Sequence, residues 1–320
     1  MLAPPLIEAP GGRIAAVRLF DSYLFVDYSA RSAPSNVSPS ADAVWIGEAR
    51  AGGPGAHYFR TRAQATTFLR ERLRREISSR RRTLVGCDFS YGYPAGFGRA
   101  LNLAGPAWSA TSSLLAALVV DGADNRNNRY EVASRLNALV GGGAGPFWGR
   151  PAAWRDAAIA ARSPGFPFRS ANGVDLERLR LTEERLRGVQ ETWKLHGRGS
   201  VGGQTLLGIP WLWALRHAPD LAGASRVWPF ETRFRPPRAR PGRALVLYAE
   251  IWPSLMEAAA PVRPGGPPIR DAQQVLALCR WARAADASGA LAALLAAPRG
   301  LGREGTARAL AEEGWILGVR

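Results

Sequence analysis

The chain has 320 residues, 47 % apolar and 21 % charged, an ordinary balance for a folded protein with a sizeable core, which excludes disordered, collagen-like and coiled-coil classes. The longest apolar stretches, such as Leu114 to Val120, fall far short of the ~20 residues that span a bilayer, and two cysteines, Cys87 and Cys279, provide neither a disulfide framework nor a zinc knuckle. A net charge of +16, carried by arginine because Lys194 is the only lysine, points to polyanionic partners, nucleic acid first, with the codon bias of a GC-rich genome as the competing explanation.

The first residues, MLAPPLIEAPGG, lack the basic start and apolar run of a secretory signal, so a cytoplasmic protein without a membrane partner is expected. Arg18 to Ala30 (RLFDSYLFVDYSA) is apolar on both faces, as a buried central strand would be. A Pro/Ser-rich turn follows, then Ala43 to Glu48 as a second strand and Ala56 to Thr61 as a third, spaced closely enough for an antiparallel meander. Leu69, Leu73 and Ile77 recur every four residues inside the arginine-rich run, which predicts an amphipathic helix from about Ala63 to Arg81 with a solvated basic face. Its arginines, with Arg82, are the first candidates for phosphate contacts. A fourth strand begins at TLVGC, and a helix is expected from Ser109 to Val120.

Residues 121–200 contain GGGAGPFWGRP and SPGFPFRSANG, read by their Gly and Pro content as a large helical and loop-like insertion within a single domain covering 1–320. Beyond it, LLGIPWLWALR reads as a helix, Ser225 to Thr232 and Ala244 to Trp252 as strands, Asp271 to Asp286 as a strongly periodic helix and Ala287 to Ala297 as another.

Two strand ends share a pattern: Val26-Asp27-Tyr28-Ser29 and Cys87-Asp88-Phe89-Ser90. Each Asp sits in a run too apolar to solvate it, where a lone carboxylate costs several kcal/mol unless paired, hydrogen-bonded or bound to a metal. Each alone reads equally as a strand-end cap. On adjacent parallel strands, about 4.8 Å apart, the two would converge and call for a cation between them. Asp271 opens the late helix, where Asp is a favoured N-cap. Glu250, after LVLYA, and Glu231, in VWPFET, are further strand-end acids. Lys194, His196 and Arg198, beside Trp193 and the Gly-rich GRGSVGG, suit a loop that meets phosphate or bases.

The order of these features resembles the ribonuclease H-like fold, and more narrowly the family of predicted RNase H-like nucleases. The matching segments are VDYSA, GCDFSYGYPAG, VGGQTLLGIPWL, VWPFET, YAEIWPSL and RDAQQVLAL, spread over most of the chain. The resemblance implies an α/β mixed sheet with helices on both faces and the first and fourth strands adjacent and parallel. It also implies Mg²⁺ or Mn²⁺ held by Asp27, Asp88 and Asp271, with Glu250 as a fourth catalytic acid, and metal-dependent phosphodiester hydrolysis of nucleic acid. Two other expectations stand beside it: a catalytically silent module of the same fold that binds nucleic acid or protein, and a small-molecule phosphotransfer or cofactor-pathway enzyme.

Other motifs carry less. GLGREG (Gly300 to Gly305) follows an Ala/Leu helix where a dinucleotide site needs a strand, and GGGAG lacks the Lys-Ser/Thr of a phosphate loop. His57, His196 and His217 form no triad or zinc spacing.

Overall fold

The computed structural model describes residues 17–50, 53–197, 199–238, 242–257 and 268–320. Three strands, β1 (Ser22–Asp27), β2 (Val44–Arg50) and β3 (Gly53–Phe59), lead into helix α1 (Arg62–Ser78) and strand β4 (Arg82–Cys87). The helices α2 (Phe97–Ala100), α3 (Ala107–Leu118) and α4 (Arg129–Val140) follow, then a small hairpin, β5 (Phe168–Arg169) and β6 (Asp175–Leu176), and the short α5 (Leu181–Glu184). The remainder is α6 (Gly202–His217), β7 (Ser225–Val227), β8 (Leu245–Glu250), α7 (Pro253–Glu257), α8 (Arg270–Ala287), α9 (Ala290–Leu295) and α10 (Gly302–Arg308), which runs into a π-helical turn at Ala309–Glu313.

The main sheet has six strands in the order β3-β2-β1-β4-β8-β7. The first three are antiparallel neighbours, and β1 pairs parallel with β4, which pairs parallel with β8. The expected adjacency of the first and fourth strands is therefore present. Period-two alternation in β1 assigns its side chains to two cores. Leu24 and Val26 pack with Leu69 and Leu73 of α1 and with Leu207, Leu212 and Leu215 of α6. Tyr23 and Phe25 pack on the other face with Leu278, Cys279 and Ala282 of α8.

Helix α1 starts where Thr61 accepts the Gln64 N–H at 3.2 Å, a side-chain N-cap. The placement of α8 depends on Gly47 in β2, because a Cβ there would stand 2.5 Å from the Val275 carbonyl oxygen. Only glycine allows that approach of helix backbone to sheet.

Several boundaries differ from the sequence expectation. The strand expected over Ser225 to Thr232 ends at Val227, where Pro229 and a turn interrupt the ladder. Asp271 does not cap its helix: Ile269 is the N-cap and Asp271 lies in the first turn. Residues 121–200 hold helix α4, which the sequence reading did not place, and its Val132, Leu136 and Val140 join Phe97, Phe147, Trp193, Leu206 and Ile209 in a third core. The basic face of α1 is largely committed to ion pairs, with Arg70 and Arg74 on Asp220, Arg72 on Glu48 and Arg75 on Glu71, and Arg81, just past the helix, pairs with Glu76. Among the described residues no helix is long and apolar enough to cross a membrane.

Candidate active site

Asp27 closes β1, and Asp88 stands one residue beyond β4 with its N–H on the Val26 carbonyl at 3.3 Å, continuing the parallel ladder. Alternation sends Asp27 to the same face as Phe25, and Asp88 to the face of Gly86, so both carboxyls project on the α8 side. The two half-buried side chains share a hydrogen bond. Asp88 Oδ1 also accepts the Tyr28 N–H at 2.7 Å. That donor favours the negative charge on Asp88 and leaves the shared proton on Asp27.

Burial, then the charges of Asp88 and Asp271, hold the Asp27 carboxyl well above the ordinary carboxylate range. Asp88 is pushed up to about 7, chiefly by burial, against the lowering pull of the Tyr28 N–H. Asp271 is raised by burial as well. Its Oδ2 accepts the N–H of Asp42 at 2.9 Å, and Asp42 adopts a left-handed φ of 56° in the turn before β2. Aspartate tolerates that conformation better than most residues. Ser29 Oγ in turn donates to the Asp42 carbonyl at 2.8 Å, tying this turn to the end of β1.

These groups border an open cavity of about 670 Å³ lined by Asp27, Asp42, Asp271, Arg31, Arg129 and His196 among others. The wall away from the acids comes from α4 and the loop before α6. Arg129 Nη1 donates to Ser32 Oγ at 2.7 Å and Asn127 Oδ1 at 2.8 Å, and its guanidinium carbon lies 4.7 Å from the centre of the Tyr130 ring. His196 Nδ1 lies 3.4 Å from the Tyr130 hydroxyl. Gln204, in the first turn of α6, donates to the Tyr28 carbonyl and joins this wall to the end of β1.

The structure thus brings Asp27 and Asp88 into contact and sets Asp271 and His196 on the same cavity. It leaves Glu250 apart. Following Tyr248 on the α1 and α6 face, Glu250 is buried against Arg180, whose Nη2 and Nη1 reach its two oxygens at 2.6 and 2.8 Å, and it accepts the Tyr91 N–H at 3.0 Å. Arg180 also binds Glu183 at 2.8 Å and donates to Ser90 Oγ at 3.1 Å. Glu231 folds back on Arg216 and on the Val227 N–H. Lys194 is not among the cavity-lining residues and rests 5.6 Å from the Trp148 ring centre. Arg198 lies outside the described residues.

Asp42, Arg31, Arg129 and Tyr130 escaped the sequence reading. Asp42 had a signal, a polar residue in a Ser/Pro turn just ahead of an apolar strand. Arg129 had none, because only the fold carries α4 across to the end of β1.

The donor set suits a hard ion, being carboxylate oxygen throughout, with burial, Asp88, Asp271 and Asp42 all raising Asp27. Among the described residues no three His, Cys, Asp or Glu side chains stand close enough to hold an ion by themselves. Mg²⁺ commonly binds through one or two carboxylates, completing its shell with water and substrate phosphate, and the Asp27–Asp88 pair matches that mode. No family model, curated protein or solved structure matches the chain.

Proposed function

We propose that this protein is a Mg²⁺- or Mn²⁺-dependent phosphodiesterase of ribonuclease H-like fold acting on nucleic acid. The observation that carries the reading is the meeting of Asp27 and Asp88, from adjacent parallel strands, beside a cavity that also presents Asp271 and Arg31 and, from its other wall, Arg129 and His196. The strand arrangement β3-β2-β1-β4, antiparallel and then parallel, supports the fold assignment.

A divalent cation bound there supplies Lewis acidity toward a phosphodiester oxygen and makes water more acidic. Asp27 and Asp88 would hold the ion, with Asp27 releasing the shared proton to solvent. The Tyr28 N–H fixes the orientation of Asp88, and the Asp42 N–H fixes that of Asp271. Arg129, braced by Asn127 and Ser32, offers its remaining donors to a phosphate, a geometry that guanidinium meets better than ammonium. Glu250 takes no part, since Arg180 neutralises it in the core.

A second reading, the silent binding module, is favoured by one observation: Asp271 Oδ2 is already satisfied by the Asp42 N–H. A screen of single- and double-stranded DNA and RNA with Mn²⁺ separates the two. Slow cleavage lost in Asp27→Ala is the expected result; binding without cleavage of any substrate would overturn the enzyme reading.

A further inference from the structure

The opposite end of the main sheet carries a second concavity. Its volume is about 310 Å³, and Arg82, Arg226, Arg238 and Arg243 line it over a floor of Gly223, Ala224 and Leu245. These residues come from the starts of β4, β7 and β8 and from the segment before β8, whereas Asp27 and Asp88 lie at the far ends of β1 and β4. The length of β4 therefore separates the two sites by roughly 20 Å.

Among the described residues no carboxylate lines this concavity. Among the described residues Arg226, Arg238 and Arg243 form no ion pair, in contrast to the paired arginines of α1. The acids on flanking elements are committed elsewhere: Asp21 accepts the Arg82 backbone N–H at 2.9 Å, and Glu76 takes Ser22 Oγ at 3.0 Å and Arg81 at 3.6 Å. Arg82 is buried and fixed, with Nε on the Leu19 carbonyl at 2.6 Å and its guanidinium 6.0 Å from the Phe20 ring centre. Arg226 is steadied by its contact with the Ser225 carbonyl at 2.6 Å. The other two arginines are exposed around the rim.

Like charges gathered in a concave surface focus a positive potential, which concentrates anions. Guanidinium forks match phosphate oxygens in geometry, and several of them favour a ligand with more than one negative charge over a single carboxylate. We infer that this arginine pocket is an anion site for phosphate groups, supplied either by a nucleic-acid backbone or by a free polyphosphate. It stands independently of the acidic site, which faces the other way along the strands.

The test is binding of inorganic tripolyphosphate to the full chain in metal-free buffer at constant ionic strength, followed by thermal shift and calorimetry, with a short oligothymidylate as competitor. Tripolyphosphate should raise the melting temperature. Arg226→Gln with Arg243→Gln should weaken binding about tenfold or more, while the exposed pair Arg187→Gln with Arg303→Gln, removing the same charge, should change it less than about twofold. Competition by oligothymidylate assigns the phosphates to a nucleic-acid backbone, and binding without competition assigns them to a small polyphosphate. No binding to the wild-type chain, or equal weakening by both double variants while each keeps its ligand-free melting temperature, would overturn the site.

Discussion

Two groups of carboxyls, one fully buried and one half-buried, lie at the same end of the sheet and are treated in opposite ways. Glu250 and Glu183 converge on Arg180, which is wholly enclosed and satisfied on every side. Asp27 and Asp88 converge on each other, with a third acid nearby and, among the described residues, no arginine between them. The first group is closed around a counter-charge and fastens α5 and the C-terminal turn to β8. The second retains charge repulsion that a protein built for stability alone would have removed. Buried acid is therefore not enough to mark a site; the absence of its counter-charge is the informative feature.

The largest effect should follow from opening the closed group. Arg180→Met leaves buried carboxylates without a partner, and a loss of about 3–5 kcal/mol is expected from urea denaturation; a loss below about 1 kcal/mol would mean that the cluster is wetter than its geometry implies. Next is Gly47→Ala, whose Cβ would collide with the Val275 carbonyl. Overpacking there should cost about 1–3 kcal/mol and shift the start of α8. Crystallography of this variant should show the Asp42–Asp271 hydrogen bond lengthened, and an unmoved helix would refute the role given to Gly47.

The open group should respond with the opposite sign. The unfolded chain releases the Asp88 proton near pH 4, whereas the folded protein holds it to about pH 7. Raising the pH across that window therefore favours unfolding, and the stabilising contribution is full below about pH 4 and lost above about 7. Asp27→Asn, which keeps a hydrogen bond to Asp88 and spares the chain the proton that Asp27 takes up on folding, should raise stability at pH 8 and flatten that dependence. A destabilised Asp27→Asn protein at pH 8 would make Asp27 a structural cap. The smallest contrast concerns the cavity wall: Arg129→Gln should weaken oligonucleotide binding about tenfold, while Lys194→Gln, outside the lining, should leave it within about twofold. Equal effects would dissolve the distinction between wall and periphery.

Much of this was legible in the sequence for definite reasons. The apolar run of β1, whose alternate side chains enter two cores, and the four-residue recurrence of Leu69 and Leu73 marked strand and helix, and two Asp residues at equivalent strand ends predicted their meeting. The same alternation, carried through β8, separates Glu250 from them, because Tyr248 and Glu250 share the face opposite Phe25 and Asp27. The partner Arg180 is 70 residues away from Glu250 in sequence and left no local trace. Helix α4 was masked by the glycines that follow it, although Val132, Leu136 and Val140 keep helical spacing. The arginines at 80–82 looked like contacts for a substrate at the acidic site, yet β4 carries them to the other end of the sheet.

The central claim is that the Asp27–Asp88 pair holds a divalent cation, and the most direct measurement is the melting temperature with and without Mn²⁺ at pH 7.5. An ion bound only by the folded state stabilises by mass action, so Mn²⁺ should raise the melting temperature of the wild-type protein. The gain should vanish in both Asp27→Asn and Asp88→Asn and shrink in Asp271→Asn. An unchanged wild-type melting temperature, or an equal gain in the Asp27→Asn and Asp88→Asn proteins, would contradict the claim.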